Sequence, residues 1–108
     1  VERAFRAKAE GRGWTQPKLY LRRPDGTGFQ AKAGTTLDPP YATLKWLGYF
    51  PGNAAKGLPD FRPLIVLNEG ETGQTVAVMD GAWITETRTG SMTAIAAKRM
   101  ARPGPARR

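Results

Sequence analysis

A chain of 108 residues supports one domain with a modest hydrophobic core. It contains neither cysteine nor histidine, which excludes a disulfide, a thiol nucleophile, a Ser-His-Asp triad and a Cys/His zinc site. Any general acid or base must be Asp, Glu, Lys or Tyr, and the nine scattered acidic residues suggest no metal site. The net charge of +8 is concentrated at the two ends. Arg3, Arg6, Lys8, Arg12, Lys18, Arg22 and Arg23 lie in the first 23 residues, and Lys98, Arg99, Arg102, Arg107 and Arg108 in the last 11. Solvated termini explain this excess in preference to a nucleic-acid footprint, which would call for regular interleaving of basic and aromatic residues.

Val1 to Arg12 reads as the end of an amphipathic helix, with Val1, Ala4, Phe5 and Ala9 at helical spacing and Gly11 and Gly13 as its stop. Lys18 to Arg23 alternates as a strand with Leu19 and Leu21 on one face, and the Pro24–Gly28 turn makes a hairpin with "FQAKA", a weak strand. From Tyr41, "YATLKWLGYF" is a half-buried strand bounded by prolines, and Pro51 to Pro59 is a loop. "PLIVLNE" and "QTVAVMD", joined by the Gly70–Gly73 turn, form the clearest hairpin. Ala82 to Ala101 is predicted as a helix, with Asp80 as its N-cap and Glu86 as a first-turn acid. A stripe of small residues (Thr87, Ser91, Ala94, Ala97 and Ala101) would let that helix approach a neighbour closely. "RPGPARR" then breaks it. No stretch nears the roughly 20 apolar residues of a membrane span. The start lacks both a secretory signal and an initiator Met, so the expectation is an excised piece of a cytoplasmic protein.

Three cations stand out. Lys45 interrupts an apolar strand on the face shared with Thr43 and Leu47, a costly position unless an anion or water meets it. Arg88 lies near the start of the last helix, where free amides and the helix dipole already favour an anion and a guanidinium adds a bidentate clamp. Lys18 opens the first strand after a proline and reaches either the same pocket or water. Taken singly, each has a structural explanation. As a set they suggest a carboxylate or phosphate site, provided the fold brings them together.

The order "KWLGYFPGN", "GLP" and "LIVLNEGETGQTVAVMDGAWITETRTGSMTAIAAKRMAR" resembles the N-terminal half of the ornithine cyclodeaminase/mu-crystallin family, from about Pro17 to Arg102. The resemblance implies an α+β fold: a mixed or antiparallel sheet packed with helices and ending in a long C-terminal helix. Residues 1–102 would be a substrate-binding and dimerisation domain, and 103–108 the start of a linker to a missing dinucleotide-binding domain. The function implied is the substrate part of an NAD(P)-dependent amino-acid cyclodeaminase or ketimine reductase, a homodimer acting on an amino acid or cyclic imino acid. By position, Lys18, Lys45 and Arg88 would face the substrate carboxylate, and Arg88 and Asp60 would approach the cofactor. NAD or NADP would be held mainly elsewhere, since no G-x-G-x-x-G follows a strand here, and the catalytic aspartate lies outside these residues. This portion alone would therefore be inactive. "FQAKAG" replaces what is often a Met-Pro-containing strand, so the pocket near Lys32 is expected to differ. Two other classes fit the residues: a non-catalytic, crystallin-like binding protein on the same scaffold, and a small basic nucleic-acid module.

Overall fold

The computed structural model describes residues 1–101 and Gly104. A short helix α1 (Glu2–Ala9) leads into strands β1 (Gly13–Thr15), β2 (Leu19–Arg22), β3 (Gly28–Leu37) and β4 (Pro40–Tyr49). A 3-10 turn (Asn53–Lys56) precedes strands β5 (Phe61–Glu69) and β6 (Thr75–Asp80), and helix α2 (Ala82–Met100) follows them. The six strands form one sheet in which every pairing is antiparallel. The α+β arrangement with a long last helix is the one expected. The linker expected over 103–108 falls, apart from Gly104, outside the described residues, as does Arg102.

The "FQAKA" segment, a weak strand by sequence, belongs to the ten-residue β3, which is central to the sheet. Its small and polar side chains carry little alternation, so its extended backbone is held by non-local pairing. β4 pairs along one edge of β3; along the other, β1 pairs with Gly34–Thr36 and β2 with Gly28–Ala31. Between β1 and β2 lies Pro17, which has no N–H to give a ladder. The next residue, Lys18, extends the β2 register by one and therefore stands opposite Lys32, since Leu19 pairs with Ala31.

Alternation divides the sheet into two faces. Lys32, Lys45, Leu47, Pro63, Ile65 and Met79 share the face on which α1 and α2 sit. The register places Lys32 opposite Lys45, Lys45 opposite Ile65, and Ile65 opposite Met79. On the other face lie Leu19, Leu21, Phe29, Leu44, Trp46, Leu64 and Val78. Phe29 stacks on Trp46 with ring centroids 5.1 Å apart, but Leu19 and Val78 are 55% and 61% exposed.

The modest core expected from chain length is not formed. Among the described residues, the buried apolar side chains are Ala7, Leu47 and Pro63. The accessible surface is 8505 Å², against about 5,900 Å² for a compact protein of this mass. The radius of gyration is 17.0 Å, against about 13 Å. Both differences follow from a single layer of sheet with helices on one side only.

α1 ends at Glu10, and Gly11 turns the chain away with φ +72°. α2 is seated by Gly81, whose N–H donates to the Pro63 carbonyl at 2.9 Å. A Cβ at Gly81 would lie 3.0 Å from Ile65 Cγ1, so glycine permits this close seat. The N-cap is Gly81 rather than Asp80; the Asp80 carboxylate still accepts the Ala82 N–H at 2.8 Å. Glu86 is not in the first turn, and Arg88 is in the second, beyond the free amides. No residue of α2 is buried, and a Cβ at Gly90 would meet nothing within 4 Å. Among the described residues, the small-residue stripe has no close neighbour.

Candidate functional site

Three elements bring the site together. β3 and β4 are adjacent strands, so Lys32 and Lys45 project side by side from one face. The break before β2 delivers Lys18 to the far side of Lys32. α2 crosses above: its first turn rests on Pro63 and Ile65, and Arg99 in its last turn pairs with Glu2 of α1. Thr85, on the helix side facing the sheet, accepts a hydrogen bond from Lys45 Nζ at 3.3 Å. One turn further on, Arg88 points to the same region. Its Nη1 meets Met92 Sδ at 3.6 Å.

The cations also perturb one another. Burial, followed by repulsion from Lys18, Lys45 and Arg88, lowers the Lys32 pKa to about 8. Lys45 is lowered by burial first and then by Arg88 and Lys18. No carboxylate offsets either shift, and none of these four cations belongs to an ion pair among the described residues. Two unit charges 4 Å apart repel by about 4 kcal/mol near a protein surface. Four cations held together with no acidic partner among the described residues leave room for an anion to be accommodated.

Lys18, Lys45 and Arg88, singled out from sequence, are thus neighbours. Lys32 joins them as a fourth member. Its place in the row could be read only once β3 was paired, because alternation along "FQAKA" does not reveal which residues lie opposite. Thr85 had no sequence signal at all.

Asp60 is placed elsewhere. It precedes β5 at the end of the sheet, and its carbonyl accepts the Phe50 N–H at 2.9 Å. Five residue steps along the strand, about 16 Å of extended chain, separate it from Ile65. Its Oδ1 is buried and has no hydrogen-bond partner among the described residues. Among the described residues, no group of His, Cys, Asp and Glu could hold a metal ion, and no helix is long and apolar enough to cross a membrane.

The family described as ornithine cyclodeaminase/mu-crystallin matches residues 1–107. An alanine dehydrogenase of Archaeoglobus fulgidus is 44% identical over 102 residues, covering 94% of this chain and 31% of the relative. Among solved structures, an archaeal alanine dehydrogenase dimer with bound NAD is similar at TM-score 0.87 and 42% identity, covering 94% of this chain and 31% of that one. The Δ1-pyrroline-2-carboxylate reductase of Thermococcus litoralis, in complex with NADH and L-proline, is similar at TM-score 0.88 and 29% identity, covering 94% and 32%. The chain spans about a third of the length of these relatives. An antiparallel sheet ending in a long helix, together with a match over nearly every residue, leads to one conclusion: the chain belongs to the ornithine cyclodeaminase/mu-crystallin family.

Proposed function

We propose that this chain is the substrate-binding and dimerisation part of an NAD(P)-dependent enzyme acting on an amino acid or cyclic imino acid. In this reading Lys18, Lys45 and Arg88 grip the substrate carboxylate. The observation that carries it is the convergence of these cations, from a strand start, a strand and a helix, with no carboxylate to neutralise them. Arg88 supplies a planar pair of donors, and the lysines supply point charges that adjust to the carboxylate plane. Fixing that group from rigid elements holds the Cα of the substrate in one orientation, which hydride transfer at that carbon requires.

Bound NAD(P) would supply the hydride acceptor or donor. The residues present fit only part of such a cofactor. Arg88 has a guanidinium without an acidic partner among the described residues and can meet a phosphate, and the buried Asp60 Oδ1 is an acceptor that no donor among the described residues satisfies. The chain has no glycine-rich strand-to-helix turn for a pyrophosphate, so the main cofactor contacts and the catalytic acid–base group are assigned outside it. Residues 1–102 then act as the substrate domain, with the linker starting at 103, and the 108-residue portion alone is inactive.

The bare sheet face supports the dimer. Leu19, Leu21, Leu44, Leu64 and Val78 are all exposed on it, forming a contiguous apolar surface of the kind that marks an interface. A second copy of the same face would cover it, and one solved relative is described as a dimer. The proposal is tested in the full-length protein by assaying NAD(P)H-linked turnover of ornithine, other amino acids and cyclic ketimines. Lys45→Ala and Arg88→Ala should each raise KM by about 10-fold or more, the loss of one charged hydrogen bond. Absence of both turnover and cofactor binding would refute the enzyme reading. Binding without turnover would move the protein to the crystallin-like class.

A further inference from the structure

Lys32 is held between two other lysines. The β2–β3 register sets Lys18 on one side of it, and the β3–β4 register sets Lys45 on the other. Like charges directly opposite one another destabilise a sheet. The helix side gives no relief, because Arg88 of α2 repels Lys32 as well and Thr85 is already engaged by Lys45. Lys32 belongs to no salt bridge among the described residues. An amine in this setting escapes the repulsion by losing its proton. Burial and these neighbours bring its pKa to about 8, and a hydrogen bond with Lys18 favours the neutral amine, which accepts where an ammonium cannot. At pH 8 roughly half of the Lys32 side chains are therefore neutral, about 100-fold more than for a lysine of ordinary pKa. The side chain is only half-buried, so a small molecule in solution reaches it.

A neutral amine among ammonium groups reacts readily with dissolved CO2. Its lone pair attacks the carbon, a C–N bond forms, and one C=O electron pair moves onto oxygen. The N–H proton passes to water, leaving a carbamate; nothing is oxidised or reduced. On an ordinary lysine this adduct is scarce, since the amine is protonated and the carbamate has no counter-charge. Both obstacles are absent at Lys32. Its carboxylation turns four positive charges into three that face one negative charge. Lys45 is a poorer candidate, because its Nζ is already committed to Thr85.

We propose that Lys32 is a carboxylation site for CO2, and that its carbamate bridges Lys18 and Lys45 as an anion built into the chain. The cationic group then has two forms. One is open to a carboxylate from outside; the other is neutralised from within. CO2 and an external carboxylate compete for the same cations. Only this competition rests on the reading of Lys18, Lys45 and Arg88 as a carboxylate grip; the modification stands without it.

Carbon-13 NMR of the full-length protein, equilibrated with labelled bicarbonate at pH 8, tests the modification. A carbamate resonance distinct from that of the N-terminal amine should be present, and should grow as pH rises from 7 to 8 at fixed CO2 pressure. It should be lost in Lys32→Arg and Lys32→Met, and Lys18→Gln should reduce it about 10-fold, the loss of one charged hydrogen bond. No resonance beyond the N-terminal one, or one that survives in Lys32→Arg, overturns the proposal. A resonance indifferent to Lys18→Gln overturns the bridge. Calorimetric titration with propionate, in bicarbonate and in chloride of equal ionic strength, reads the competition. Bicarbonate should weaken propionate binding about 2-fold or more in the native protein, since only the uncarboxylated fraction binds, and not in Lys32→Arg. Equal weakening in both makes bicarbonate a plain competing anion and overturns the competition. Propionate that does not bind at all removes the carboxylate grip, while the resonance alone decides the carboxylation.

Discussion

Along β4, Lys45 and Leu47 turn towards α2 while Leu44 and Trp46 turn away, and the two faces of the sheet thereby acquire opposite chemistry. The helix side gathers four cations with no acid among them. The far side carries leucine, valine and aromatic side chains over the whole width of the sheet. Neither face is satisfied within the chain: one lacks an anion, the other an apolar cover. In the proposed reading the two faces serve two partners: because side chains alternate, a small ligand and a second protein copy would meet different residues.

The sharpest way to break this comparison is to charge the apolar face. Leu44→Asp or Val78→Asp, both at exposed positions, should weaken self-association by about 100-fold or more, since an unpaired charge in an interface costs roughly 3 kcal/mol. Sedimentation should then show monomers with unchanged affinity for a carboxylate ligand. Unchanged dimers would show that another surface mediates association.

The reverse change tests the cationic face. Lys45→Met removes a repelled charge and should stabilise the protein by about 1 kcal/mol, or roughly 4–8 °C in Tm, while raising KM about 10-fold. Thermal unfolding and kinetics on the same variant would expose this opposition; a loss of both stability and affinity would mean that Lys45 is a packing residue.

A smaller effect concerns pH. The folded pKa of Lys32, about 8, lies below its ordinary value of 10.5, so between these values the unfolded chain binds more protons than the folded one. Stability should therefore rise with pH from about 8 towards 10.5, the repulsion being fully present below pH 8. Urea unfolding at pH 7 and 9.5 measures the rise, which should shrink in Lys32→Met. Asp80→Ala should cost about 1 kcal/mol through loss of the bond to the Ala82 N–H, without moving the dimer equilibrium. Removing residues 99–108 should leave carboxylate binding in place; a loss of steep, salt-dependent nucleic-acid binding on trimming would instead favour the basic-module reading.

Strong local signals were legible in the residues. The β5–β6 hairpin, the Asp25–Gly26 turn and the long α2 each carry alternation, turn chemistry or helix formers that act over a few neighbours. β3 was weak because Ala, Gln, Lys, Gly and Thr have no common local preference; its ten-residue length comes from flanking strands. The last helix begins at Ala82 as expected, and Arg88, its seventh residue, therefore lies past the free amides that its reading as a helix-start clamp relied on.

Sequence alone determined which side chains were out of place: a lysine within an apolar strand, an arginine on a helix of small residues, a lysine after a proline. It also determined, through its missing cysteines and histidines, what chemistry the chain could not perform. Only tertiary structure decided that these cations meet, that Lys32 stands among them, and that the opposite face is left bare. The reason is geometric. Strand pairing and helix placement act between residues far apart in the chain, and no local spacing states which strand will lie beside which.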